Sequence, residues 1–273
     1  MPPPLLLVAL AVGSAFLGTL GGLGGAMFLV PVLILAGVDP LLAVPLGAAS
    51  VVAGSVAAGP AQLRSGLVHH RLGVSIEVVA ATGAIVGAVV GDAVSDRVLT
   101  FLLAGIAILA AAMSARSSGQ FYGPDPLHTA EQPGEWPGTL GGSYRLAGEV
   151  VPYHARRVPA GLSLMSIAGV ISGLSGVGGG FLKVPVMGEV MQVPVKVAAA
   201  TSTFTVGVTS AVSLIVYLRQ GRVDLVAAAA IVLGAVVGGI GGTTLASRLA
   251  PTTTRRVVAL LLAAVAVLLV VRQ

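Results

Sequence analysis

The stretches GLGGAMFLVPVL (Gly22 to Leu33) and GVGGGFLKVPVM (Gly176 to Met187) repeat one another, since six of their twelve positions are identical. A proline follows each stretch at the same distance, Pro40 in the first copy and Pro194 in the second. Both copies lie inside long apolar sequence, so the chain looks like one membrane unit written twice. Such duplication is typical of secondary transporters, whose two related halves hold the substrate between helices that break near the bilayer midplane.

The composition predicts an integral membrane protein. Of the 273 residues, 56% are hydrophobic and 9% are charged, whereas soluble domains carry about 25% charged residues. The net charge of +5 is spread over loops without a clustered basic stripe, so we expect the lipid bilayer as the environment and no nucleic acid as a partner. The chain has no cysteine, which excludes disulfide and thiol chemistry.

Eight apolar intervals mark candidate membrane segments, because a hydrocarbon core about 30 Å thick needs roughly 20 helical residues. They are Pro2 to Val38, Pro40 to Leu63, Leu72 to Gly91, Val98 to Ala115, Val158 to Leu182, Val197 to Leu218, Leu225 to Ser247 and Val257 to Val271. The runs are continuously apolar rather than alternating, which favours helices over a β-barrel. We therefore predict an all-α, polytopic membrane helical bundle of two homologous four-segment repeats (4+4), residues 1–115 and 158–273. Parallel and inverted repeats both remain open.

A polar linker, residues 116–157, separates the two predicted repeats. It carries eight charged residues, many Gly and Pro, and the single tryptophan, Trp136. Such a segment cannot cross a bilayer, and its aromatic side chains favour the headgroup level. We expect a partly ordered connector in solvent or at the interface. A segment that covers the pore or regulates it is the alternative.

The glycine clusters predict breaks in the first and fifth membrane helices. The interval from Pro2 to Val38 is too long for one straight span, and glycine and proline interrupt helices through backbone entropy and a missing N–H. A break exposes backbone N–H groups, and a half-helix that begins there presents the positive end of its dipole, which suits anions. The candidate substrate-binding glycines are Gly24, Gly25, Gly178, Gly179 and Gly180. A tightly packed, kinked helix pair without a ligand is the alternative.

Isolated polar residues inside the spans are further candidates, because a buried charge or hydroxyl in the bilayer needs a partner or a function. Lys183 stands in the second copy where Leu29 stands in the first. It either snorkels to the headgroups or attracts the anion. Thr201 and Ser202 follow the shared proline, and we predict that their hydroxyls bind substrate. Alternatively, each hydroxyl donates a hydrogen bond to the backbone carbonyl four residues earlier in the helix.

Two rows of glycine at four-residue spacing indicate close helix packing. Gly83, Gly87 and Gly91 form the row in the third segment, and Gly234, Gly238 and Gly242 form the row in the seventh. A spacing of four places each row on one helix face, where the absence of side chains lets another helix approach.

Three motifs carry a resemblance to a known family: GLGGAMFLVP in the first half, GVGGGFLKVP in the second, and VPVKVAAATS from Val193 to Ser202. Together with the four-plus-four layout and the length, they make the chain resemble the sulfite exporter TauE/SafE family. The resemblance implies transport of a sulfur-containing anion, such as sulfite, sulfoacetate or another sulfonate, across a bacterial inner membrane. It does not specify which of these anions.

Other classes of function find little support in the sequence. Metalloprotease, P-loop and nucleophile-elbow motifs are missing, so we expect neither an enzyme nor a cofactor. His69 and His70 adjoin Arg71, but no third ligand falls at helical spacing, and we expect no metal site. The preferred hypothesis is a transporter of a small anion by alternating access at the repeat interface. A passive anion channel and a non-transporting scaffold are the alternatives, and a homo-oligomer is compatible with all three.

Export is the expected direction of transport. An inside-negative membrane potential favours the exit of each negative charge by about 2.3 kcal/mol per 100 mV. Strongly coupled uptake would need an acidic residue or histidine deep in a span. The carboxylates at or near the segments, all expected near span ends, are Glu77, Asp92, Glu189 and Asp224.

Overall fold

A computed structural model describes residues 1–21, 24–116, 132–146, 149–246 and 251–271. Gly22 and Leu23 of the first glycine motif lie outside these ranges. The helices are α1 (Pro4–Gly21), α2 (Ala26–Leu35), α3 (Pro40–Arg64), α4 (His70–Val90), α5 (Asp96–Arg116), α6 (Val158–Ser175), α7 (Gly180–Pro185), α8 (Val195–Arg219), α9 (Leu225–Ala246) and α10 (Pro251–Val271). A 3₁₀ turn, Gly91–Ala93, extends α4, and a π-helical turn, Val186–Val190, continues α7.

The predicted helical membrane bundle is confirmed. Within the described ranges, six helices are long and apolar enough to cross a bilayer, namely α3, α4, α5, α6, α8 and α9. Shorter apolar helical stretches are Pro4–Thr19, Ala26–Leu35 and Val257–Leu269. The protein is therefore a polytopic helical bundle, and the grouping into four plus four segments stays a prediction.

Local sequence explains where the central helices begin. The side chain of Asp39 accepts a hydrogen bond from the backbone N–H of Leu41 at 2.8 Å, and Pro40 occupies the first turn of α3. Both features are favourable at a helix N-terminus, because the first N–H groups lack helical partners. In α4, the ring of His69 plays the capping role by accepting from the N–H of Leu72 at 3.2 Å.

The helices pack in a reciprocal pattern. The first helix, α1, packs on α9, and α6 packs on α4. At the centre, α3 packs on α8, while α3 also contacts α9 and α8 contacts α4. The pair of α5 and α10 lies against this set. Two related halves that exchange their first helices would produce this pattern, although the division into repeats 1–115 and 158–273 stays a prediction.

The glycine rows lie at the two exchanged contacts. A Cβ atom added at Gly87 would lie 2.1 Å from the carbonyl oxygen of Val170 on α6. One added at Gly238 would lie 2.2 Å from the carbonyl oxygen of Val12 on α1. Any larger residue would force these backbones apart, so the predicted packing role is confirmed.

The linker contains a three-stranded antiparallel sheet in the order β1 (Gly134–Glu135), β2 (Gly141–Leu146) and β3 (Glu149–His154). Tyr144 and Tyr153 are buried in a cluster with apolar residues of α4, α6 and α8. The described part of the linker is thus packed against the bundle, which was not predicted from its glycine-rich and proline-rich composition. The aromatic side chains supply the apolar contact area that anchors it.

Candidate functional site

The two helix breaks face each other inside the bundle. At the second break Gly176 ends α6 with φ of 68°, and Gly178 has φ of 82°. At the first, Gly24 has φ of 86° before α2 begins at Ala26. Glycine populates these conformations without the steric cost that a Cβ brings. A Cβ at Gly24 would lie 3.9 Å from the carbonyl oxygen of Val177, so the predicted breaks are confirmed and lie close together.

A small cavity lies at this meeting point. Among the predicted binding residues, Gly24 and Gly25 line it from the first half of the chain, and Gly180 and Ser202 line it from the second. Val51 of α3 and other small residues of α1 and α8 complete the wall. The cavity measures about 20 Å³, which accommodates one water-sized molecule. The cavity is therefore narrow in this conformation.

Several buried hydroxyl groups of α3, α6 and α8 lack a hydrogen-bond partner among the described residues. They belong to Ser50, Ser172, Ser202, Thr205 and Ser210. Ser202 is 1% exposed and lines the cavity, while Ser210 Oγ would lie 3.0 Å from a Cβ at Gly178. Unpaired buried hydroxyls are unfavourable and uncommon, and they are frequent at sites of function. These groups can donate to a polar ligand that enters the site.

Lys183 lies fully buried at the second break. Its Nζ donates to Oε2 of Glu77 at 2.7 Å and to Oγ1 of Thr209 at 2.8 Å, and none of its surface is exposed. The structure therefore excludes the snorkelling alternative. The six-residue α7 begins at this break and is continued by the π-helical turn, and the expected contribution of a half-helix dipole stays a prediction. The positive charge at this break comes from the lysine.

Glu77 holds the opposite charge inside the bundle. Its Oε1 accepts from the backbone N–H of Thr209 at 2.7 Å and from the Thr209 hydroxyl, and its side chain is 6% exposed. Seven residues of α4 precede it, about 10 Å of helix. Sequence reasoning missed Glu77 and Thr209. The sequence offered one signal for this ion pair, because Glu77 and Lys183 carry opposite charges within otherwise apolar stretches.

The ion pair lies next to the cavity. Lys183 follows the lining residue Gly180 by three positions on α7, and Thr209 follows the lining residue Val206 by three positions on α8. Three positions correspond to nearly one helical turn, about 5 Å along the axis. The buried cation, its carboxylate partner and the unpaired hydroxyls thus form one polar region between the two halves of the chain.

The other predicted binding residues lie around this region without lining the cavity. Thr201 is buried, and its Oγ1 accepts from the backbone N–H of His69 at 2.9 Å. A Cβ at Gly178 would lie 2.8 Å from the Val51 side chain, and one at Gly179 would lie 3.3 Å from Ser172 Cβ. Gly178 and Gly179 therefore shape the turn.

The linker sheet contacts the start of α4 beside Thr201. Glu135 accepts from the backbone N–H of His70 and lies 2.9 Å from its Nδ1, and His69 Nε2 lies 3.3 Å from the carbonyl oxygen of Gly141. Burial lowers the pKa of His69 despite the opposing charge of Glu135. Burial alone would raise the pKa of Glu135, but the hydrogen bonds from His70 and Arg71 and the charge of His69 lower it.

Comparison with known proteins identifies the family. The profile of the family described as "Sulfite exporter TauE/SafE" matches residues 5–269. The chain belongs to the sulfite exporter TauE/SafE family. It is also 36% identical over 89 residues to the "Probable membrane transporter protein YunE" of Bacillus subtilis (strain 168). That match covers 33% of this chain and 32% of the relative, so it spans about a third of the curated protein.

No solved structure matches the chain. The TauE/SafE assignment, the transporter relative and the six candidate spans agree with one another. They support a multi-pass protein of the cell membrane in a family of transporters.

Proposed function

We propose that this TauE/SafE protein transports a small sulfur-containing anion, such as sulfite, sulfoacetate or another sulfonate, by alternating access around the polar region between its halves. The observation that carries this proposal is the fully buried Lys183 at the point where two broken helices meet. A buried ammonium group is costly unless it is paired or has a function. Glu77 pairs with Lys183 in this conformation, and a lysine held beside the helix breaks is a cation that an anionic substrate can meet.

The surrounding groups suit a tetrahedral or pyramidal oxyanion. Lys183 supplies a charge and up to three N–H donors, and the unpaired hydroxyls of Ser202 and Ser210 supply neutral donors. Hydrogen bonds to a charged oxygen are stronger than those between neutral groups. A small substrate with several oxygens can use all of these donors at once.

The size of the cavity supports a carrier. At about 20 Å³, it is too small for an anion with four or more heavy atoms, since such a volume holds roughly one water. The bundle must therefore rearrange for the substrate to enter, as alternating access requires. A passive channel would need a continuous aqueous path, and a cavity of this size gives no support to that alternative.

Export is the proposed direction. The inside-negative potential favours the exit of a net negative charge by about 2.3 kcal/mol per charge per 100 mV. A sulfur-containing dianion, such as sulfoacetate, benefits most from this driving force.

Flux into liposomes tests the proposal. Purified protein should take up ³⁵S-labelled sulfite or sulfoacetate with saturable kinetics and show counterflow. The K183Q/E77Q double variant removes the buried charges with little change of shape and should lose this flux. The K196Q/E189Q double variant is the matched control, because both side chains are exposed, and it should retain the flux. Ion currents without saturation would indicate a channel, and the absence of any anion movement would contradict transport.

A further inference from the structure

The carboxylate of Glu77 occupies the place that an anionic substrate would take on Lys183. One oxygen accepts from Lys183 Nζ at 2.7 Å, and the other accepts from the Thr209 backbone N–H at 2.7 Å and from its hydroxyl. These charged and neutral N–H and O–H groups are of the kind that bind an oxyanion. An anion that belongs to the protein is thus bound to Lys183 in this conformation.

We infer that Glu77 is a displaceable counter-ion, which the substrate anion replaces on Lys183 and which takes up one proton when it is released. The inference rests on the proposed transport function. Glu77, which does not line the cavity, would then couple the movement of a proton to the movement of the anion. Anion and proton then cross the membrane together.

Protonation follows from the surroundings of Glu77. Its side chain is 6% exposed, and a buried carboxylate without a counter-ion is strongly disfavoured against its neutral acid. Lys183 is the cation that faces it from α7, and α6 contains no ionisable residue. The substrate takes over the charge of that lysine, so the freed carboxylate must gain a proton or remain uncompensated.

Other ionisable groups of the neighbouring elements cannot replace Lys183. On α8, Lys196 and Arg219 lie 13 and 10 positions from Thr209, at opposite ends of the helix, which corresponds to about 15 Å or more along the axis. On α4, His69, His70 and Arg71 lie six or more positions before Glu77, where Glu135 of the linker sheet accepts from the backbone N–H groups of His70 and Arg71.

The charge balance of the site fixes the stoichiometry. In the ion pair, the positive charge of Lys183 and the negative charge of Glu77 cancel. With a bound monoanion, Lys183 and the substrate cancel, and Glu77 is neutral. Each cycle therefore moves one proton with each anion. A monoanion then crosses without net charge and gains nothing from the membrane potential, whereas a dianion keeps one negative charge and is still driven outward by it.

Proton and anion fluxes can be counted in the same liposomes. With wild-type protein, ³⁵S-sulfoacetate uptake should acidify a trapped pH-sensitive dye by one proton for each anion, and the current should correspond to one charge per anion. Any uptake that remains in the E77Q variant should carry no proton and two charges per anion. The Glu77→Asp variant retains a carboxylate and should retain the proton. Glu189→Gln is the matched control, because its exposed carboxylate should leave the ratio unchanged.

Two results would overturn the inference. Wild-type uptake that brings no proton would contradict it without any variant, so a failure of E77Q to fold or transport cannot obscure the test. An unchanged proton ratio in E77Q would show that another group carries the proton. Both outcomes differ from a failure of the proposed function, in which wild-type protein moves none of the labelled anions.

Discussion

The Nζ atom of Lys183 lies 2.7 Å from Oε2 of Glu77, although 106 positions separate the two residues in the chain. The pair joins α7 to α4, and the Thr209 hydroxyl adds α8 to the same contact. A buried ion pair contributes little net stability, but the loss of one partner leaves an uncompensated charge in the interior. The pair therefore ties three helices together only while both of its charges are present.

A double-mutant cycle should show this dependence. We expect K183M alone to lower the free energy of unfolding by about 3 kcal/mol or more, because Glu77 is left buried and unpaired. K183M/E77Q should be more stable than K183M, since the second change removes that charge. Denaturant titration in bicelles measures the free energy of unfolding of the wild-type protein, K183M, E77Q and K183M/E77Q. Additive effects of the two single changes would mean that the residues do not interact.

Positive φ angles make the helix breaks sensitive to side chains. Gly178→Val should abolish transport, because φ of 82° strains a β-branched residue and its Cβ would lie 2.8 Å from Val51, together costing roughly 1–3 kcal/mol or more. Gly24→Val, at φ of 86°, should do the same. Gly13→Val is the control, since a Cβ there meets nothing within 4 Å. All three variants should still insert into the membrane. Normal flux in both Gly24→Val and Gly178→Val would refute a functional role for the helix breaks.

Filling the cavity tests the site without strain. Gly54 lines the cavity, and a Cβ at that position meets nothing within 4 Å. We expect Gly54→Val to reduce flux by occupying substrate space while the thermal stability changes little. Gly105→Val on α5 offers equal room away from the cavity. Equal flux from the two variants would place the substrate elsewhere.

The two adjacent hydroxyls should differ in their effects. Ser202→Ala should weaken the apparent affinity for the anion by about 1.5–3 kcal/mol, the usual effect of losing a hydrogen bond to a charged group. Thr201→Val should instead reduce stability, because its oxygen accepts from His69 and lies off the cavity lining. Uptake against substrate concentration, with thermal unfolding of the same samples, separates the two. An unaltered affinity in Ser202→Ala would remove this residue from the site.

Acidification should loosen the linker sheet from α4. Burial lowers the pKa of His69 below its ordinary 6.5, so the detached state binds more protons and the contact weakens as the pH falls below about 6.5. The pKa of Glu135 is lowered from 4.5, so its contribution is present above that value and is lost at still lower pH.

Hydrogen exchange of the Gly141–Leu146 amides at pH 7.5 and 5.5, corrected for intrinsic rates, measures the loosening. His69→Gln retains a polar side chain without a titration in this range and should abolish the pH dependence. Equal protection of wild-type protein at both pH values would contradict the expectation.

The helix breaks could be predicted from the local sequence, but the ion pair beside them could not. The turns at Gly24 and Gly178 can be predicted from the conformational freedom of glycine and from the prolines that follow. Contacts with distant residues are not needed for this prediction. The partner of Lys183 depends on how α4 and α7 come together, which a pattern within either helix does not encode. The linker sheet escaped prediction for a similar reason, because Tyr144 and Tyr153 become ordered by packing on the bundle.

The packing of α1 on α9 and of α6 on α4 has a consequence for biogenesis. During synthesis α1 enters the membrane long before its packing partner α9 has been translated, so the face that will receive the Gly238 backbone must meet lipid in the meantime. The same holds for α4 until α6 arrives. Neither half can complete its own interior, and a protein cut within the linker should assemble only when both fragments are made in one membrane.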